Sequence, residues 1–225
     1  MVKKASSKKS SAKKSSAKKP GGRKSAAAGA AKDDIANKLI DTAFELALAR
    51  GWRDLSLAEV AEAAGLPISE VYPVFSSKQA ILRGLTARVD AAMLAEGSED
   101  LSLPARDRLF DMLMRRFDAL QPYREALGVV LGDQASDPLT ACCGLARLRS
   151  SMAATLEAAG FSTTGCRGLL RVKGLSALYL SAVRVWLRDD SEDMARTMAH
   201  LDKQLSRVDS LIGRLNNWRP GRAAA

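Results

Sequence analysis

The chain has 225 residues and a formal net charge of +10, but residues 1–32 hold ten lysines and one arginine with no acid, so that stretch carries +11 and leaves the remainder at −1. Tail and body must therefore be read separately, because a basic appendage says nothing about what the folded part does. Three cysteines, two of them adjacent (Cys142, Cys143, Cys166), and a lone His200 exclude a disulfide framework and a zinc site, and the most apolar run, 174–187, is short and interrupted by Arg184, which predicts a soluble, cytoplasmic protein without stable membrane insertion.

Lysine pairs recur at Lys3-Lys4, Lys8-Lys9, Lys13-Lys14 and Lys18-Lys19, spaced by Ser and Ala and followed by Pro20-Gly21-Gly22. Such a segment buries no core and its like charges extend it, so residues 1–32 are expected to be a disordered basic arm. It either lies along phosphate backbones or serves as a solubilising leader. From Asp33, the residues Ile35, Leu39, Ala43, Leu46 and Ala47 share one helical face, and Gly51 marks the stop. Ser56-Leu57-Ala58-Glu59 has the form of a capping box opening a short helix with Leu57, Val60, Ala61 and Ala64 inward, and Gly65 ends it. After the turn Gly65-Leu66-Pro67 a third segment runs from Ile68 to about Phe75, and Ser76-Ser77-Lys78-Gln79 can cap a longer fourth helix. The order helix, helix, tight turn, helix is that of a helix-turn-helix.

Beyond about Gly97 the pattern stays helical, broken at Pro104, Pro122, Pro138 and Gly160, with no β-alternation. Leu175, Leu178, Tyr179, Ala182, Val183 and Trp186 form one stripe, and Leu201, Leu205, Val208, Leu211, Ile212 and Leu215 another. The chain lacks a glycine-rich phosphate loop and a nucleophile with a partner at informative spacing, so neither an enzyme nor a cofactor is expected.

Ala43-Phe44 with Gly51-Trp52, the run Leu57 to Leu66, and the run from Val71 and Tyr72 through Phe75 to Lys78 resemble the N-terminal signature of TetR regulators, over about Asp33 to Leu85. The resemblance implies an all-α, TetR-like fold in which residues 33–93 form a three-helix DNA-binding domain and residues 94–218 a larger helical domain for effector binding and dimerisation. It implies that Tyr72 and Lys78 contact phosphates, Lys78 with help from the amino end of the fourth helix, while Phe75 packs inside. The expected DNA-binding set is Ser56, Ser69, Glu70, Tyr72 and Lys78, with base readout at Ser69, Glu70 and Tyr72. The segment is unusual in its own chemistry: Asp33–Leu85 carries five Lys or Arg against eight Asp or Glu, and 68–75 offers no Arg, Lys, Asn or Gln for bidentate base reading. Pro73 removes an amide donor and disfavours a helical Tyr72, which predicts a shortened or kinked recognition helix.

The resemblance also implies a dimer built on the last two long helices, with Tyr179, Val183, Trp186, Leu205 and Leu211 as candidate contacts, although internal core explains the same stripes equally well. An apolar effector pocket is expected at Phe110, Met114, Phe117, Met152 and Phe161. At the carboxyl end, Tyr179, Trp186, 189–193, Thr197 and Leu201-Asp202 are similar to the closing segment of ubiquinone-biosynthesis lipid-binding proteins that share the TetR fold. The resulting expectation is a ligand-responsive repressor, homodimeric on double-stranded DNA and released by a small apolar effector. The alternative is a TetR-fold lipid- or isoprenoid-binding protein without sequence-specific DNA binding.

Overall fold

The computed structural model describes residues 22–95 and 102–217, with side chains over 29–95 and 102–210. Regular structure among these is entirely helical: α1 (Gly22–Arg50), α2 (Leu57–Ala63), α3 (Ile68–Val71), α4 (Lys78–Ala95), α5 (Ala105–Leu120), α6 (Arg124–Ala135), α7 (Pro138–Ala158), α8 (Gly165–Trp186) and α9 (Ala195–Asn217). A 3-10 turn at Gln121–Tyr123 links α5 to α6.

Helix α1 starts at Gly22 rather than Asp33, so residues 22–32 of the expected disordered arm are helical; residues 1–21 lie outside the described residues. The alanine-rich run Ser25 to Ala31 explains this, because alanine has the best helix propensity and propagation from a packed helix avoids the nucleation cost. Gly51 (φ +89°) and Gly65 (φ +64°) close α1 and α2 in the left-handed region that a side chain disfavours. The capping box at Ser56 is formed in both directions, with Glu59 N donating to Ser56 Oγ at 3.2 Å and Ser56 N donating to Glu59 Oε2 at 2.8 Å. The fourth helix is capped by Ser77, whose hydroxyl accepts from Ala80 N at 3.2 Å.

Two apolar cores form. The first gathers Leu39, Ile40, Phe44 and Trp52 with Val60, Val71, Phe75, Ile81 and Leu85, and α6 contributes Ala126 and Val130 to it. The second gathers Met112, Leu113 and Phe117 with Met152, Leu156, Tyr179, Trp186, Leu201 and Leu205. Helix α4 joins them, with Val89 in the first and Met93 in the second. Arg88 of α4 reaches back to Asn37 (3.2 Å) and Asp41 (3.0 Å) on α1.

The second core corrects two expectations. Phe117 stacks on Tyr179 at 5.3 Å and lies 5.6 Å from Trp186, Phe117 and Met152 are fully buried, and Phe110, Met114 and Phe161 pack against the same cluster. These five residues fill a core rather than line an open pocket, because the apolar faces of α5, α7 and α8 interdigitate there. Tyr179, Trp186 and Leu205 are likewise buried within the chain's own core and Val183 is half-buried against it, so this stripe faces inward, not toward a partner; the Leu211 side chain lies outside those described. Periodicity marks an apolar face without saying what covers it. Among the described residues, the large apolar side chains that α8 and α9 turn outward are Leu169, Leu170, Leu180 and Val208.

Candidate nucleic-acid interface

Pro67 is the N-cap of α3, extended at φ −67° and ψ 142°, and offers no side-chain hydroxyl to cap it. The helix ends at Val71, yet Tyr72 keeps right-handed helical angles (φ −58°, ψ −37°), so Pro73 does not push Tyr72 out of the helical region. The shortening has another cause: Pro73 lacks the N–H that would bond Ser69 O, and Val74 N and Phe75 N instead both donate to Val71 O at 2.9 and 2.8 Å. A single turn with an irregular close results.

That turn is anchored from beneath. Val71 is fully buried and Phe75 nearly so, while Ser69, Glu70, Tyr72 and Pro73 are exposed, Tyr72 by 63%. Phe75 sits where it does because Gly84 of α4 has no side chain: a Cβ there would come 2.6 Å from Phe75 Cζ and 3.3 Å from Ile40 Cδ1. A glycine in a helix interior runs against propensity, and this close approach is its physical reason.

The expected contact set divides. Ser69, Glu70 and Tyr72 stand together on the outer face of α3. Ser56 is engaged in its capping box, its hydroxyl also 2.7 Å from Glu59 Oε2. Lys78 is half-buried and its ammonium donates to two backbone carbonyls, Trp52 O at 2.8 Å and Arg53 O, while lying 5.7 Å from the centre of the Trp52 ring. Burial pushes the Lys78 pKa down, countered by the charges of Asp54, Asp133 and Glu59. Asp54, Glu62 and Glu70 are exposed around this face, and Arg50 reaches Glu59 at 3.8 Å. Hydrogen bonds from Ser56 hold the Glu59 carboxyl below its usual range, so it stays charged. From residue 50 to residue 85 four acids (Asp54, Glu59, Glu62, Glu70) stand against four bases (Arg50, Arg53, Lys78, Arg83), so the surface that carries α3 has no excess of positive charge, and the lysine-rich charge lies ahead of α1.

Sequence reasoning missed Asp133. From α6 it accepts from Trp52 N at 2.7 Å and Arg53 N at 3.0 Å, across some eighty residues, and nothing local in the sequence marks it.

The carboxyl-terminal resemblance resolves into a brace between α8 and α9. Asp189 is fully buried and accepts from Ser191 Oγ (2.5 Å), Thr197 N (2.8 Å) and Thr197 Oγ1 (2.7 Å). Burial pushes its pKa up, but the bonds from Ser191 and Thr197 outweigh that and hold it at about 2. Trp186, Thr197 and Leu201 are also buried, and Met194 enters α9 with φ +54°. These residues cap and lock a helical hairpin. A groove of about 640 Å³ lies beside it, where Asp41, Phe44 and Glu45 of α1 face Tyr123, Arg124 and Asp190. Among the described residues, no group of His, Cys, Asp and Glu could hold a metal ion, and no helix is long and apolar enough to cross a membrane.

Residues 39–85 match the bacterial regulatory proteins of the tetR family, and residues 172–212 match the COQ9 family. Among solved structures, the chain is similar to a TetR transcriptional regulator from Nitrosomonas europaea ATCC 19718, at 23% identity and a TM-score of 0.65, covering 79% of this chain and 99% of that one. It is also similar to a TetR transcriptional regulator from Rhodococcus sp. RHA1 (15% identity, TM-score 0.56, 80% and 97% covered). A third is a tetR-family regulator from Streptomyces coelicolor (19% identity, TM-score 0.51, 82% and 92% covered). No curated protein sequence matches significantly.

Proposed function

From the premise of a tetR-type N-terminal segment within a TetR-like fold, we propose that this protein is a DNA-binding transcriptional regulator that acts as a ligand-responsive repressor in the cytoplasm. The observation that carries the reading is the outward set Ser69, Glu70 and Tyr72 on a turn whose other face is fixed by Val71 and Phe75. A helix-turn-helix presents its second helix to the major groove in this manner, and a dimer would set two such helices about one helical turn, roughly 34–36 Å, apart. Glu70 can accept from a cytosine amino group, and the Tyr72 hydroxyl can donate to a phosphate.

Dimerisation in this reading uses the outward apolar faces of α8 and α9, where Leu169, Leu170, Leu180 and Val208 are exposed. An apolar effector would enter by repacking the second core, whose buried Met93, Met112, Met152 and Met194 are adaptable, and would favour a different spacing of the two α3 turns. The lysines of residues 1–21 add attraction to any duplex, which the balanced charge around α3 does not supply.

The match of residues 172–212 supports a second reading, a lipid-binding protein of the same fold without an operator. The two separate in one experiment: full-length protein is incubated with genomic DNA fragments at near-physiological salt, retained DNA is sequenced, and bound lipid is extracted. A pseudo-palindromic motif that Tyr72→Ala abolishes supports the regulator. Unenriched DNA with co-purified isoprenoid or acyl lipid supports the alternative.

A further inference from the structure

The backbone of Trp52 and Arg53, just after α1, is held by two side chains from distant helices. The N–H groups of Trp52 and Arg53 both donate to one oxygen of Asp133 on α6, at 2.7 and 3.0 Å, and the carbonyls of the same two residues both accept from the ammonium of Lys78, in the first turn of α4. The carboxyl end of α6 closes on this loop at a further point, because the Arg53 guanidinium donates to Ser136 Oγ, which itself donates to Asp133 O at 2.6 Å. Gly51 turns the chain into this loop at φ +89°, a left-handed conformation that a side chain disfavours.

We propose that Asp133 is a positioning residue for nucleic-acid contact, one that sets Lys78 at the DNA face by holding the Trp52–Arg53 loop on which that lysine rests. The inference rests on the regulator reading above. The peptide group made of the Trp52 carbonyl and the Arg53 N–H is bonded at both ends, to the ammonium and to the carboxylate, so losing the anion weakens that carbonyl as an acceptor as well as freeing the loop. Lys78 then loses its fixed seat and its attraction to phosphate is diluted over rotamers. Helix α6 also contributes Ala126 and Val130 to the first core. A displacement of α6 therefore carries Asp133, the loop and Lys78 together, which ties the lysine's position to the helix that borders both cores.

The test is a double-mutant cycle in the full-length protein, on the duplex that the unaltered chain enriches most from genomic fragments. Asp133→Ala is expected to weaken binding about tenfold, the loss of one charge-assisted contact. The log–log salt slope should fall by about one, as for Lys78→Met, because one phosphate contact is lost. In the Lys78→Met background Asp133→Ala should have no further effect, a result that a merely structural role for Asp133 would not produce. Asp133→Asn keeps an acceptor for both amides while losing the charge, and is expected to weaken binding about threefold, within the range of one weakened hydrogen bond. Wild-type affinity in both Asp133 variants, or effects that multiply in the double variant, would overturn the proposal while leaving the regulator reading intact. If the unaltered chain enriches no sequence, the regulator reading and this inference fall together.

Discussion

Consider Asp189→Asn in the brace between α8 and α9. The native carboxylate is fully buried, and its pKa of about 2 against an ordinary 3.8 records how strongly the fold favours the charged form. A difference of roughly 1.8 units at about 1.36 kcal/mol per unit amounts to about 2 kcal/mol of stability at neutral pH. Because the folded pKa is the lower one, this contribution is complete above the unfolded value of 3.8 and is lost as pH falls through about 2. Asparagine cannot carry the charge and must turn an N–H toward one set of donors, so the variant should be less stable by about 2 kcal/mol at pH 7, roughly 4–8 °C in melting temperature for a chain of this size. Urea unfolding of both proteins between pH 7 and pH 3 is the assay. The gap should hold down to about pH 5 and shrink to roughly half by pH 3. A gap independent of pH, or none at pH 7, would refute the assignment of this carboxylate as the ionised cap of α9.

Two further predictions follow from the N-terminal half. Gly84→Ala gains about 1 kcal/mol of helix propensity but drives a methyl to 2.6 Å from Phe75 Cζ, and overpacking of this kind costs about 1–3 kcal/mol. A net loss of about 1 kcal/mol by thermal melting is expected, relieved when Phe75→Leu accompanies it, and no relief would place the clash elsewhere. Removing residues 1–21, which carry eight lysines, should lower the log–log salt slope of DNA binding by up to about 7 while leaving sequence preference unchanged, as measured by competition with random duplex.

Legibility in the sequence followed the range of the interaction. The capping box at Ser56 and the stops at Gly51 and Gly65 were readable because each is decided within four or five residues. The start of α1 was not, since the alanine-rich run before Asp33 has no apolar face, and the signal that extends the helix is propensity alone. The stripe through Tyr179 and Trp186 was visible but its partner was not: periodicity shows that a face is buried, and only the packing of Phe117 against it shows that the cover is α5 of the same chain. Pro73 rightly marked a disturbed recognition helix, though the disturbance comes from the missing amide opposite Ser69 and not from Tyr72. Lys78 could be placed at the start of α4, but its engagement with Trp52 and Arg53, and that of Asp133 with the same loop, depend on contacts 25 to 81 residues apart.

The proposed regulator depends on DNA readout by the short turn at Ile68–Val71. That readout is tested most directly by sequencing genomic fragments retained at near-physiological salt by three proteins: the full chain, a chain beginning at Gly22, and the Tyr72→Ala variant. One pseudo-palindromic motif should be enriched by the first two and lost in the third. Retention that depends only on the lysine-rich residues, with no motif in any of the three, would contradict readout by that turn.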